Sequence, residues 1–246
     1  MTADPISFIE PDWPAPAGVR ALITTRVGGV SRTPYASLNL GDHVGDDPDA
    51  VAKNRARVTA LLPGIPLWLR QVHGVEIADP SRDRPGCKAD GAVTRQRGRP
   101  LAVLTADCLP VLLADEDGTA VAIAHAGWRG LAAGVIEHAV RALRTDPKRL
   151  IAYLGPAIGP NAFEVGQDVA DAFLTGQAEA ASAFRPGAPS KWFADLYALA
   201  RLRLARLGVD RVYGGTFCTY SDPHRFYSHR RDPCTGRMAS FVWLEA

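Results

Sequence analysis

Three side chains with soft donor atoms stand where apolar stretches of this 246-residue chain give way to loop-forming residues. They are His73 in Gln71-Val72-His73-Gly74, Cys108 in Ala106-Asp107-Cys108-Leu109-Pro110, and His125 in Ala124-His125-Ala126-Gly127. Two imidazoles and a thiolate, with a fourth position left open, form a donor set found in catalytic zinc sites. Each residue also has a plainer reading. A cysteine among apolar neighbours is commonly an inert core residue, and a histidine at a strand end is commonly held by hydrogen bonds. The spacing matches no compact zinc-finger pattern. Without a metal, the same three residues would make a cysteine nucleophile, because a neighbouring imidazole lowers a thiol pKa.

Other residues suit the rim of such a site. The guanidinium groups of Arg26, Arg55 and Arg129 could hold phosphate or ribose oxygens, although an arginine is by default solvated or ion-paired. Gly127-Trp128-Arg129-Gly130 opens a predicted helix, where backbone N–H groups could receive an anion; a tight turn explains the glycines equally well. Ser37 and Asn39 lie in a polar loop whose bland explanation is turn chemistry. Phe226, Tyr227 and Ser228 could stack on and hydrogen-bond a purine, or belong to the core. Asp107 is expected to orient His73 or His125, or to cap a turn. Cys87, Cys218 and Cys234 form no Cys-x-x-Cys pair with each other or with Cys108, and they read as free thiols dispensable for metal.

Strands must carry these residues. Val19 to Thr25, Leu67 to Val72, Leu101 to Thr105, Val111 to Ala114, Val121 to His125, Leu150 to Leu154, Val209 to Tyr213 and Ala239 to Leu244 are apolar runs of strand length. Asp46 or Asp47 followed by Pro48 starts a helix bearing Val51, Asn54, Arg55, Val58, Leu61 and Leu62. Leu131, Val135, Ile136, Val140 and Leu143 recur at helical spacing and complete a strand-helix-strand unit. Gln167 to Leu174 reads as a helix, and so does Ser190 to Leu207. The mixture predicts a layered α/β or α+β sandwich.

Apolar residues make up 47% of the chain and charged ones 22%, enough for a core and against disorder. The formal net charge of +2 comes without a long basic tract, so neither nucleic acid nor a membrane surface is an expected partner. Met1 to Trp13 lacks the basic start and apolar stretch of a signal peptide, which predicts a cytoplasmic protein. No spacer divides residues 1–246, and one domain is expected.

Longer motifs run from one end of the chain to the other. Thr24-Thr25-Arg26-Val27-Gly28-Gly29-Val30-Ser31, Ser37-Leu38-Asn39-Leu40-Gly41, Gln71-Val72-His73-Gly74, Thr105-Ala106-Asp107-Cys108-Leu109-Pro110 and His125-Ala126-Gly127-Trp128-Arg129-Gly130 closely resemble the YfiH family, also called laccase-domain or polyphenol oxidase proteins. Gly155-Pro156-Ala157-Ile158-Gly159, Cys218-Thr219-Tyr220, Phe226-Tyr227-Ser228 and Arg230-Arg231-Asp232 continue the resemblance. It implies a single α-β-β-α sandwich with mixed sheets and zinc on His73, Cys108 and His125. It also implies purine nucleoside phosphorylase activity, with nucleosides and phosphate as partners, joined by adenosine deaminase and methylthioadenosine phosphorylase activities. Amide cleavage in peptidoglycan precursor editing is an alternative. Copper-dependent phenol oxidation, which the family name asserts, needs several imidazole-rich copper centres. The chain has six histidines and no His-x-His pair, which leaves room for one Cu2+ at the same three residues but not for a multicopper centre.

Overall fold

The computed structural model describes residues 4–246; the first three residues of the Met1 to Trp13 segment lie outside it. Two sheets stack face to face. The outer one has the order β1-β2-β13-β5, with β1 (Phe8–Ile9), β2 (Val19–Thr24), β5 (Leu101–Thr105) and β13 (Met238–Leu244) all antiparallel. The inner sheet has the order β12-β8-β6-β7-β4-β3, built from β3 (Ile77–Ala78), β4 (Gly91–Thr94), β6 (Leu109–Asp115), β7 (Val121–Ala126), β8 (Leu150–Leu154) and β12 (Arg211–Gly214). It is mixed, since β3 pairs with β4 and β12 with β8 in parallel, while β6 runs antiparallel to both β7 and β8. A small third sheet joins β9 (Glu164–Gly166), β10 (Phe184–Pro186) and β11 (Lys191–Ala194).

The period-2 alternation of the strands sorts their side chains into layers. Val19 and Ile23 of β2 meet Leu112, Val121, Ile123 and Tyr153 of the inner sheet in the core between sheets. Leu22, Phe241 and Trp243 point the other way and pack with Val58 of α1 (Pro48–Thr59). On the far side of the inner sheet, Val111, Leu113, Ala122 and Leu154 pack against α3 (Val135–Leu143) and α5 (Leu196–Leu207). The result is the α-β-β-α sandwich that the resemblance implies, with the mixed pairing confined to the inner of the two stacked sheets. Strands β6 and β7 are covered on both faces, which is why they read as unbroken apolar runs. Among the described residues no helix is long and apolar enough to cross a membrane.

Helix α1 starts where expected, with the Asp47 side chain accepting from the Asp49 N–H and Pro48 in the first turn. Its Asn54, fully buried, organises the polar loop before it by donating to Ser31, Ser37 and Asn39 and accepting from the Val30 N–H. Three sequence expectations differ from the structure. The run 67–72 is extended but forms only isolated bridges, at Leu67 and Arg70. The helix expected after Gly127 is two, α2 (Trp128–Ala133) and α3, broken at Gly134, whose φ of 102° closes α2 in a left-handed turn. The helix expected over 190–207 starts only at Leu196, capped by Asp195; the β-rich sequence Lys191–Ala194 is instead the central strand of the third sheet.

Candidate metal centre

Register brings the first two donors together. Antiparallel pairing of β6 with β7 sets Leu109 opposite Ala126 and Pro110 opposite His125, so Cys108, just before β6, and His125, near the end of β7, occupy the same end of the inner sheet. His73 arrives on the loop after the extended 67–72 segment. Its ring lies edge-on to that of His125, with centroids 4.8 Å apart. One donor atom from each of His73, Cys108 and His125 falls within 4.8 Å of the others, and Cys108 Sγ lies 3.8 Å from His73 Nε2. His125 is buried, Cys108 half-buried and His73 exposed, so the group opens on one side.

A residue that the sequence did not reveal holds this arrangement. Asp90 is fully buried directly before β4 and accepts from the backbone N–H groups of Val72 (3.0 Å), His73 (2.9 Å) and Gly74 (2.7 Å). The same carboxylate lies 2.8 Å from His125 Nδ1. These bonds sustain the left-handed backbone of His73, at φ 60°, which an L-residue with a Cβ adopts at a cost. Burial works against the charge of Asp90, yet the His125 ring and the Gly74 and Val72 N–H groups hold it below the usual carboxylate range. Asp107, expected to orient a histidine, instead accepts from Thr219 Oγ1 (2.6 Å) and the Arg230 N–H (2.7 Å) and so fixes the backbone before Cys108.

The donor chemistry fits a soft or borderline metal ion. Burial opposes ionisation of Cys108, but the charge and hydrogen bond of His125, and then those of His73, bring its thiol down to about 6. His125 moves the opposite way: burial lowers it, and Cys108 and Asp90 together raise it to about 9. With Nδ1 engaged by Asp90, the Nε2 of His125 is the atom free to act as a ligand. Gly127 explains its place in the sequence here, since a Cβ on it would stand 2.8 Å from His73 Cδ2 and 3.0 Å from Cys108 Sγ.

A cleft of about 330 Å³ opens beside the three donors, lined also by His43, Gln71, Arg129, His229 and Arg237. Arg129 is exposed and its guanidinium rests on the Trp128 ring, 4.4 Å from the centroid. Arg237 donates to the carbonyls of Thr235 and Gly236. Neither forms an ion pair with a carboxylate among the described residues. His43, His229 and Arg237 carried no sequence signal, because they lie in loops remote from the three motifs. A neighbouring groove of about 670 Å³ shares His43 and Gln71 with the cleft and contains Arg55, which pairs with Asp42 (3.1 Å) and covers Trp68.

The other expected binding residues lie off the cleft. Arg26 donates to the carbonyls of Ala36 and Pro223 and lies over the Tyr227 ring. Asn39 is fully buried, bonded to Gly41, Asp46 and the Arg237 N–H. Phe226, Tyr227 and Ser228 are fully buried; the two rings form a cluster with Ala106 and Met238 behind the site. A purine has no access to rings placed there. Tyr227 donates to the Tyr35 carbonyl at 2.6 Å. Tyr227→Ala is therefore expected to cost about 3–5 kcal/mol of stability in denaturant unfolding, with ligand affinity of the cleft unchanged in the folded fraction. Weakened ligand binding at unchanged stability would put the ring against the ligand instead. Cys87, Cys218 and Cys234 are free thiols, none of them part of the donor group.

An α-β-β-α sandwich with a two-histidine, one-cysteine donor group at one end of its inner sheet is the class that fold and site define. The chain belongs to the family described as multi-copper polyphenol oxidoreductase laccase, whose model matches residues 20–245. It is 56% identical to a purine nucleoside phosphorylase of Pseudomonas aeruginosa over 97% of this chain and 99% of that one. It is 52% identical to the purine nucleoside phosphorylase YfiH of Escherichia coli, covering 96% of this chain and 98% of the relative. A Neisseria meningitidis protein of solved structure superposes with a TM-score of 0.94 at 52% identity, over 97% of this chain and 99% of its own. The Bacillus licheniformis YfiH structure gives 0.87 at 32% identity, over 92% and 93%.

Proposed function

We propose that the protein is a zinc-dependent purine nucleoside phosphorylase, converting a nucleoside and phosphate to a free base and ribose 1-phosphate. The observation that carries this reading is the cleft wall, where Arg129 and Arg237 stand without carboxylate partners beside the donor group. The names carried by relatives of 50% identity and more support it. In the reaction a phosphate oxygen forms a bond to the anomeric carbon as the bond to the purine nitrogen breaks. The electron pair leaves with the base, which takes up a proton. Arg129 and Arg237 hold the anion and orient it towards a sugar developing positive character, so positioning and charge supply much of the rate. His43 and His229, which also line the cleft, are in this reading the imidazoles that hydrogen-bond the departing base. Zinc on His73, Cys108 and His125 would supply Lewis-acid polarisation of a substrate oxygen, and water activation in the deamination of adenosine. Methylthioadenosine, in which a methylthio group replaces the 5′ hydroxyl of the sugar, is a further substrate in this reading.

Inosine incubated with the protein in phosphate buffer is expected to release hypoxanthine, followed by chromatography, and phosphate-free buffer is expected to abolish the release. Release at equal rates in both buffers would replace phosphorolysis with hydrolysis. One observation favours that second reading: the lowered thiol of Cys108 between two imidazoles is also how a cysteine nucleophile is activated. Thiol alkylation and metal chelation separate the two, because only a nucleophile is indifferent to chelation.

A further inference from the structure

We infer that Asp90 is the positioning residue of the centre, one carboxylate that sets both histidine donors and assembles the site before any ion arrives. The inference rests on the reading of His73, Cys108 and His125 as metal ligands and goes beyond it to a residue outside the donor group. Asp90 reaches the two histidines by different routes. It takes His125 by the ring, through Nδ1 at 2.8 Å, and His73 by the backbone, through the three successive N–H groups of 72–74. Its own position is set by the sheet: β4 pairs with β7 so that Gly91 faces Ala124, and the backbone N–H of His125 donates to the Asp90 carbonyl at 2.6 Å. The Asp90 N–H in turn donates to the Glu76 carbonyl, closing the 72–76 loop onto the strand.

Four acceptor contacts on two oxygens leave Asp90 no role towards solvent, and at zero exposure it touches no substrate. A carboxylate on one imidazole nitrogen fixes the tautomer and makes the other nitrogen the better donor. Asp90→Asn removes the charge and puts an NH2 where a backbone N–H now points, so one side of the clamp must open.

The test measures zinc affinity by chelator competition on folded protein, together with amide hydrogen exchange at 72–74 in the metal-free state. In Asp90→Asn, zinc should bind roughly 10- to 100-fold more weakly, the loss typical of an outer partner, and the amides of Val72, His73 and Gly74 should exchange faster without metal. Should Asp90→Asn fail to fold, the wild-type protein still decides the matter. Nitrogen NMR shifts should show His125 protonated at Nδ1 and metal-bound through Nε2. Wild-type zinc affinity in folded Asp90→Asn, or metal on Nδ1 of His125, would overturn the assignment while leaving the three-ligand reading intact. A wild-type protein that takes up no zinc would overturn both.

Discussion

Cys108→Ser is expected to empty the centre of metal and to abolish nucleoside cleavage while the protein remains folded. A hydroxyl is a poor donor to a soft or borderline ion and stays protonated where the thiol, at about 6, does not. The loss of affinity should exceed the roughly 10- to 100-fold cost of losing an outer partner. Little stability should go with it, because Cys108 is half-buried and its contacts are the two imidazoles. Elemental analysis and a thermal melt on the same sample check both parts. Cys218→Ala is the control: its sulfur accepts from the Gly159 N–H and from Ser221, away from the donors, so metal content should stay at the wild-type level. Equal metal loss in the two variants would refute the donor assignment.

The second large effect concerns the anion. Arg129→Ala and Arg237→Ala should each slow phosphorolysis of inosine by the roughly 1.5–3 kcal/mol that a hydrogen bond to a charged group contributes, about 10- to 150-fold. The double variant should lose still more. Water attack on adenosine, the second reaction of the proposed reading, needs no anion held in place, so any deamination should fall much less. Arg26→Ala provides the contrast. Its guanidinium ties Ala36 and Pro223 to the Tyr227 ring, so its removal should appear in the melting temperature. Equal losses in both reactions for Arg129→Ala and Arg237→Ala would make these arginines structural.

The grouping of His73, Cys108 and His125 was legible mainly through the resemblance of whole motifs, because a histidine or cysteine near the end of an apolar run is by itself as often structural, and the run before His73 forms only isolated bridges. The apolar runs of β5, β6, β7 and β8 were legible directly, since burial on both faces leaves little room for other residues. Information carried by strand pairing was not legible. Asp90 has no signature of its own; its role exists only once β4 lies beside β7. Phe226 and Tyr227 could be aromatic wall or aromatic core, and their composition is the same in both cases; only the packing with Ala106 and Met238 decides. Arg237 likewise sits among loop residues whose path is set by a buried Asn39 some two hundred residues earlier. The departure at Lys191–Ala194 has a different cause. Trp192 and Phe193 favour a strand locally, but the apolar spacing of α5 extends back over them and hides the Asp195 cap.

The hairpin of β6 and β7, whose apolar residues lie in the core, brings Cys108, just before β6, and His125, near the end of β7, to the same end of the inner sheet. In small zinc domains the ion gathers ligands from a floppy chain, and most of its binding energy goes into folding. Here sheet pairing and the Asp90 contacts bring the donors together, so the binding energy of an ion is expected to go less into folding than in those domains. Such a socket is indifferent to its occupant in one respect: it does not reshape itself to prefer one ion over another. Discrimination then falls to intrinsic affinity, in which divalent copper outranks zinc, and to supply. The ion found with any one preparation is therefore expected to follow the medium in which the protein was made, and colour or oxidase activity in a copper-rich culture would describe that history.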